Sequence, residues 1–272
     1  MVCDGEITRS KIPGLIQCEN CGFITTDLSL SAEEIKKMYS QDYYHGEEYA
    51  DYIADKEIIQ KNFKKRLRTV QKYLENPEKK NPFEIGCAYG FFLQVAAQTF
   101  QKVAGFDISD EEVQYAQKQL KQEAYAGDFL ENRINEKYHI VCLWDTIEHL
   151  EKPELYIEKA NEMLEDQGLI CITTGDISSL NARVRGEKWR QIHPPTHLHY
   201  FSKYTLHMLL ERKGFRVLET SYPANALSMN TVLYTLLCRK SNHEWLYNLF
   251  NNIGITKWNI NINLHDFMFV IA

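Results

Sequence analysis

No stretch of this chain offers the roughly 18 consecutive apolar residues of a membrane span, and the N-terminus lacks the charged-then-apolar order of a signal peptide. A membrane protein is therefore not expected, and a cytoplasmic location is. A surplus of positive charge is missing too: 31 Lys and Arg face 37 Asp and Glu, a net charge of −6. That balance counts against a broad nucleic-acid surface. The one basic run, KNFKKRLR (61–68), falls in an expected helix over about 48–74. There its charges read as a solvated face opposite Ile58, Ile59, Phe63, Leu67 and Val70. An even cysteine count is also absent. Seven cysteines without a secretion signal argue for reduced thiols, and Cys87, Cys142 and Cys171, in apolar strand-like surroundings, read as small core residues. Internal repeats and low-complexity tracts are lacking.

What the 272 residues do contain is an alternation of strand and helix patterns, long enough for one α/β core with a smaller appendage. After the break at 76–82, strands are expected at 82–86, 102–107, 123–126, 138–144, 167–174 and 214–220. Helices are expected between them at 90–100, 110–121, 153–165 and 203–213. This rhythm predicts a Rossmann-like, doubly wound parallel sheet with helices on both faces. Residues 1–45 are expected to form a separate small Cys-containing module, whose later part holds a capping box at Ser31 and Glu34. Residues 46–272 form the main domain, interrupted at about 175–202 and 222–262. The first interruption holds Gly175, Gly186, Pro194 and Pro195 after a strand's C-terminal end, where open α/β sheets place ligand loops. The second begins as an apolar helical segment and continues as an irregular linker before HDFMFVIA closes the chain as a strand.

The run FEIGCAYG (83–90) marks a strand-to-helix turn. A dinucleotide site needs G-x-G-x-x-G, and here two of the three glycine positions fail, which weighs against NAD. The pattern present is Glu84-x-Gly86-x-Ala88-x-Gly90. Small residues let backbone amides approach a compact ligand, and a carboxylate beside them suits one with a positive charge. Asp107 ends the second strand, where a carboxylate accepts hydrogen bonds from ribose hydroxyls. Asp128 follows the third strand, where it meets an adenine amino group while Phe129 packs on the ring. Together the three acids predict one adenosine-containing, amino-acid-bearing ligand.

With FEIGCAYG, FDIS (106–109), GDF (127–129) and YHIVCLWDTIEHL (138–150), the chain resembles the class I S-adenosylmethionine-dependent methyltransferases. The last of these stretches and HLHYFSKYTLHMLLERKGF (197–215) are similar to the branch of ubiquinone-pathway, sugar and natural-product methyltransferases. The resemblance implies a seven-stranded sheet whose last strand is antiparallel. It also implies S-adenosylmethionine contacts from Glu84, Gly86, Ala88, Gly90, Asp107, Ile108, Asp128, Phe129 and Trp144. It departs from the family at Ala88, where a glycine is frequent. Methyl transfer to a small-molecule acceptor follows, at oxygen or carbon, on a sugar, lipid or natural-product intermediate.

Cys18-x-x-Cys21-Gly22 has the spacing of half a zinc knuckle, and Cys3 adds a third ligand. A second C-x-x-C containing Cys3 would need a cysteine one place before Met1; either the natural chain starts earlier or another group completes the site. CENCGF and the residues after it resemble the N-terminal zinc segment of a subset of these enzymes, which implies a structural zinc. Free cysteines are the alternative. Tyr43 and Tyr44 either fold over the cofactor mouth, as the resemblance implies for Tyr44, or anchor the first module.

Methyl transfer from a sulfonium is an in-line displacement, and an acceptor hydroxyl or acidic carbon also needs a base. His149 in DTIEHL is the first candidate, with Glu148 orienting beside it; the alternative is a helix-start residue that only packs. His197 belongs to the runner-up group His193, His197 and His199, whose spacing suits rim residues better than a metal site. Trp189, Arg190 and Tyr200 are candidates for shaping the acceptor pocket, and Asp145 for touching substrate or cofactor amine. Two other functions compete: an RNA or protein methyltransferase reading its target through the zinc module, and a non-catalytic zinc-containing scaffold. The motifs carry no signature of the acceptor's identity or of oligomeric state.

Overall fold

The computed structural model describes residues 2–3, 5–28, 52–239, 241 and 243–272. Ser31, Glu34, Tyr43 and Tyr44 lie outside them. The main sheet is built from β4 (Pro82–Ile85), β5 (Ala104–Asp107), β6 (Glu123–Ala126), β7 (Tyr138–Trp144), β8 (Leu164–Gly175), β10 (Glu219–Ser221) and β13 (Phe267–Ile271). Its order is β10-β13-β8-β7-β4-β5-β6. The strands from β4 to β8 run parallel, while β13 is antiparallel to both of its neighbours. This is the seven-stranded methyltransferase-type sheet that the strand-helix rhythm and the resemblance anticipate.

Alternation on these strands builds a core on each face. On β4, Phe83 and Ile85 join a layer with Val141, Leu143, Ile170 and Ile172. The opposite layer takes Ile140, Cys142, Cys171 and Phe269, together with the helix residues Phe63, Leu67 and Val70. Glu84 therefore points into a hydrophobic layer, opposite Gly105 and Cys142 in register. The buried Cys87, Cys142 and Cys171 are core residues, as expected.

Several boundaries differ from expectation. The helix after the glycine turn, α2 (Phe91–Ala96), is shorter than expected, and in the 214–220 segment strand pairing begins only at Glu219, with β10 at the sheet edge. The basic run lies on α1 (Lys56–Val70), yet its charges are not all solvated: Arg66 is buried. It stands three residues after Phe63 and four before Val70, which puts it on the apolar stripe. The 222–262 segment is helical after its first residues, as expected, but its later part is not an irregular linker. β11 (Asn225–Ser228) pairs antiparallel with β12 (Asn259–Ile262), with helical residues between them that include the α-helices Met229–Leu233 and Glu244–Asn252.

The N-terminal residues form β1 (Ile7–Arg9), β2 (Leu15–Cys18) and β3 (Ile24–Thr26). β3 pairs with β9 (His199–Tyr200), which makes a second, four-stranded sheet. Cys3, Cys18, Cys21 and Phe23 share a core layer with the main sheet. No helix among the described residues is long and apolar enough to cross a membrane.

Candidate active site

At the C-terminal ends of the parallel strands lies a cavity of about 660 Å³. Glu84, Gly86, Ala88, Asp107, Ile108, Asp128, Phe129 and Trp144 line one part of it. Gly90, the remaining glycine of the turn, does not; it packs behind, where a Cβ would come within 2.7 Å of Ala116.

The turn is held by geometry that few side chains tolerate. Gly86 has φ +79°, and a Cβ there would lie 2.6 Å from Thr146 Oγ1. Ala88 has φ 41°, the left-handed region that glycine adopts most readily. Asp107 braces the turn: its carboxylate accepts from Ala88 N at 2.7 Å and from Ser109 N at 3.0 Å. Burial pushes its pKa up, against the pull of those amides. Asp128 accepts from Leu130 N at 2.8 Å, which sets the next loop, and Phe129 stacks on Tyr156 with centroids 5.4 Å apart.

Four buried side-chain atoms lack a partner among the described residues: Arg66 Nε, Glu84 Oε2, Trp144 Nε1 and Glu148 Oε2. All four residues line this cavity. Unpaired buried polar atoms are costly, and their convergence on one cavity is what a bound polar ligand would relieve. Burial, then the charge of Asp107, raises the Glu84 pKa well above its ordinary value, with Arg66 opposing. A cationic ligand group beside it would favour the ionised form. S-adenosylmethionine, with its ammonium, sulfonium and ribose, fits this donor set: Glu84 and Asp107 lie at the turn, and Phe129 and Tyr156 form an aromatic wall.

The other part of the cavity is built from distant segments. Glu148, His149, His197, Arg190 and Gln191 line it. His149 Nδ1 is 2.8 Å from the Thr196 carbonyl, so that nitrogen donates and Nε2 carries the lone pair. The rings of His149 and His197 meet edge to face at 4.6 Å. Burial drives the His149 pKa down to about 4, partly offset by the Thr196 carbonyl, and drives His197 lower still. Burial, then the charge of Asp145, lifts Glu148 to about 8. Asp145 faces the cavity with φ 56°, bonded by the Thr173 hydroxyl at 2.5 Å and paired with Arg66 at 3.4 Å.

Of the runner-up histidines, His193 and His197 meet edge to face at 6.1 Å, whereas His199 stands apart. His199 Nδ1 lies 2.9 Å from Thr25 Oγ1 and its Nε2 lies 3.3 Å from the Glu151 carbonyl, which ties β9 to the N-terminal strands and the 147–151 turn. Trp189 and Tyr200 are buried behind the rim rather than lining this cavity, while Arg190 does line it. Asp266, 1% exposed, anchors the rim by accepting from Trp189 Nε1 at 2.8 Å and Asn181 Nδ2 at 2.7 Å. Asn225–Ser228 and Thr231 roof the cavity.

Three cavity features went unread in the sequence. Arg66 was signalled by its place on the helix stripe. The roof and the Asp266 anchor come from pairing between distant segments and leave no local pattern.

Cys3, Cys18 and Cys21 offer three sulfurs within 4.8 Å of one another, with Cys3 and Cys18 Sγ 3.2 Å apart. A bond from the Cys21 backbone lowers the Cys18 thiol to about 7 despite burial. Burial pushes Cys21 up to about 12.

A family model described as a methyltransferase domain matches residues 55–220. Among solved structures, a methyltransferase from Bacillus halodurans is 13% identical, with 78% of this chain and 97% of that chain covered at a TM-score of 0.54. Magnesium protoporphyrin IX methyltransferase from Synechocystis, solved with S-adenosylhomocysteine, is 13% identical, covering 89% and 100% at 0.55. A chain of the complex between the Haloferax volcanii Trm112 methyltransferase activator and a methyltransferase is 14% identical, covering 89% and 98% at 0.58. No curated protein sequence matches. At these identities the structures establish likeness of fold, and the family match adds the activity. With more than half of its residues inside that match, the chain belongs to the methyltransferase domain family and is an S-adenosylmethionine-dependent methyltransferase.

Proposed function

We propose that the enzyme methylates a small-molecule acceptor, bound where Glu148, His149, His197 and Arg190 line the cavity. The observation that carries this reading is one continuous cavity with the glycine turn and Asp107 in one part and the two neutral imidazoles in the other. Its volume of about 660 Å³ lies within the range of roughly 300–1,000 Å³ typical of small-ligand pockets. S-adenosylmethionine supplies a methyl group activated on a sulfonium. Glu84, Gly86, Ala88, Asp107, Ile108, Asp128, Phe129 and Trp144 are the residues we assign to holding it. Asp107 does so in two ways, bracing the turn through Ala88 N and offering its carboxylate to ribose hydroxyls. Alignment of donor and acceptor is then the main catalytic demand. His149 and His197 supply electron pairs where an acceptor's proton departs, and Glu148 orients beside them.

For residues 1–45 we propose a module stapled by zinc on Cys3, Cys18 and Cys21, three thiol donors already converged, as a small fold with little core of its own requires.

Calorimetry with S-adenosylmethionine on the wild type and Asp107→Ala, with zinc measured on the same preparations, tests this reading. Affinity is expected to fall at least thirtyfold in Asp107→Ala, and one equivalent of zinc to disappear in Cys18→Ser. A methyl-acceptor screen over sugars, phenols and hydroxy acids then identifies the substrate. Wild-type protein that binds no S-adenosylmethionine sinks the assignment.

A further inference from the structure

Glu148, His149 and His197 each present one donor atom, and the three atoms lie within 4.8 Å of one another. They come from two segments, the turn after β7 and the loop before β9, joined by the Leu198 N to Glu148 O bond of 2.9 Å. Glu148 is 3% exposed and lines the cavity, and its Oε2 has no partner among the described residues. A buried carboxylate oxygen left unpaired beside two imidazoles is costly unless something cationic completes it.

Both imidazoles are held as metal-binding histidines are. The ring of His149 donates Nδ1–H to the Thr196 carbonyl, and that of His197 bonds the Gln191 backbone. Such outer bonds fix the tautomer and orientation of the remaining nitrogen. Tyr200 donates to the His197 carbonyl at 3.0 Å and so steadies the same loop. Three nitrogen and oxygen ligands at 2.0–2.2 Å from a cation lie roughly 3.0–3.5 Å apart, so small side-chain rotations bring atoms now within 4.8 Å to coordinating distance. Nearby charges largely cancel. Arg66 is paired with Asp145 at 3.4 Å, and Arg190 with Asp266 at 3.4 Å.

We propose that Glu148, His149 and His197 form a binding site for a divalent transition-metal cation in the acceptor part of the cavity. One carboxylate and two imidazoles suit Mn²⁺, Fe²⁺, Co²⁺ or Zn²⁺ and leave coordination positions open toward the cavity. Those positions favour an acceptor with paired oxygen ligands, such as a vicinal diol or a hydroxy acid. This role rests on the methyltransferase reading above, whereas the cation site itself does not.

The test is titration of the metal-stripped full chain with MnCl₂, followed by electron paramagnetic resonance. Mn²⁺ is a hard cation and avoids the three thiols. One Mn²⁺ per chain is expected, with two ¹⁴N couplings in the pulsed spectrum of the wild type. Affinity is expected to fall at least tenfold in Glu148→Gln and in His197→Gln, while S-adenosylmethionine affinity, measured on the same samples as a check of folding, stays within threefold. A wild type that binds S-adenosylmethionine but takes up no Mn²⁺, a bound Mn²⁺ without nitrogen couplings, or a Glu148→Gln variant that binds Mn²⁺ as the wild type does, overturns the proposal. Mn²⁺ uptake with nitrogen couplings in a wild type that fails to bind S-adenosylmethionine would keep the cation site and remove the methyltransferase role.

Discussion

The two parts of the cavity are made by different means. Around the glycine turn, backbone conformation does the work: Gly86 and Ala88 sit at positive φ, and one carboxylate, Asp107, bridges the turn to the next strand. In the histidine part, backbone conformation matters less and side chains from separate segments meet, with Asp266, just before the last strand, anchoring the rim and β9 carrying the neighbouring loop. A cofactor shared by many enzymes suits a fixed backbone cradle, while an acceptor suits a wall assembled from loops.

Substitutions separate the two. The largest effect is expected from Gly86→Ala, which places a Cβ at 2.6 Å from Thr146 Oγ1 on a backbone at φ +79°. Strain and clash together cost about 3 kcal/mol, and calorimetry should find S-adenosylmethionine affinity reduced by about 100-fold. Retained affinity would show that the turn is not the cofactor cradle. Next is Asp266→Ala. It strands the buried Trp189 Nε1 and frees Asn181, at a cost of about 2–4 kcal/mol in urea unfolding. Cofactor affinity should change less than threefold; a larger loss would mean that the two parts are not independent. The smallest effect is expected from Ala88→Gly, which relieves a left-handed alanine at φ 41°. Thermal unfolding should rise by the equivalent of about 0.5–1 kcal/mol, since the relief of about 1–2 kcal/mol is partly offset by glycine's greater freedom when unfolded.

How much of each part could be read in the sequence follows from the same contrast. Glu84, Gly86, Asp107 and Asp128 lie at the ends of consecutive strands, so their spacing placed them together and they do line one cavity, and the doubly wound class of the sheet followed from the strand-helix rhythm. His149 and Glu148 were legible at the end of the fourth strand. The meeting of His149 with His197 was not, because it depends on a loop returning across 48 residues. Arg66 was misread as solvated because charge was weighted above its position between Phe63 and Val70. The β11–β12 pair was missed because its strands are four residues long and separated by helices.

The pairing of β3 with β9 also bears on the order in which the molecule can assemble. The Ala88–Asp107 bond closes a loop of 19 residues, while the His199–Thr25 bond closes one of 174. The longer closure costs about 2 kcal/mol more in chain entropy. During synthesis the glycine turn can close on Asp107 as soon as β5 has emerged, whereas β3, which pairs with the nearby β2, must wait for the 174 residues between Thr25 and His199 before it meets β9. The N-terminal strands, made first, are thus among the last to dock, and their arrival fixes the strand that follows His197.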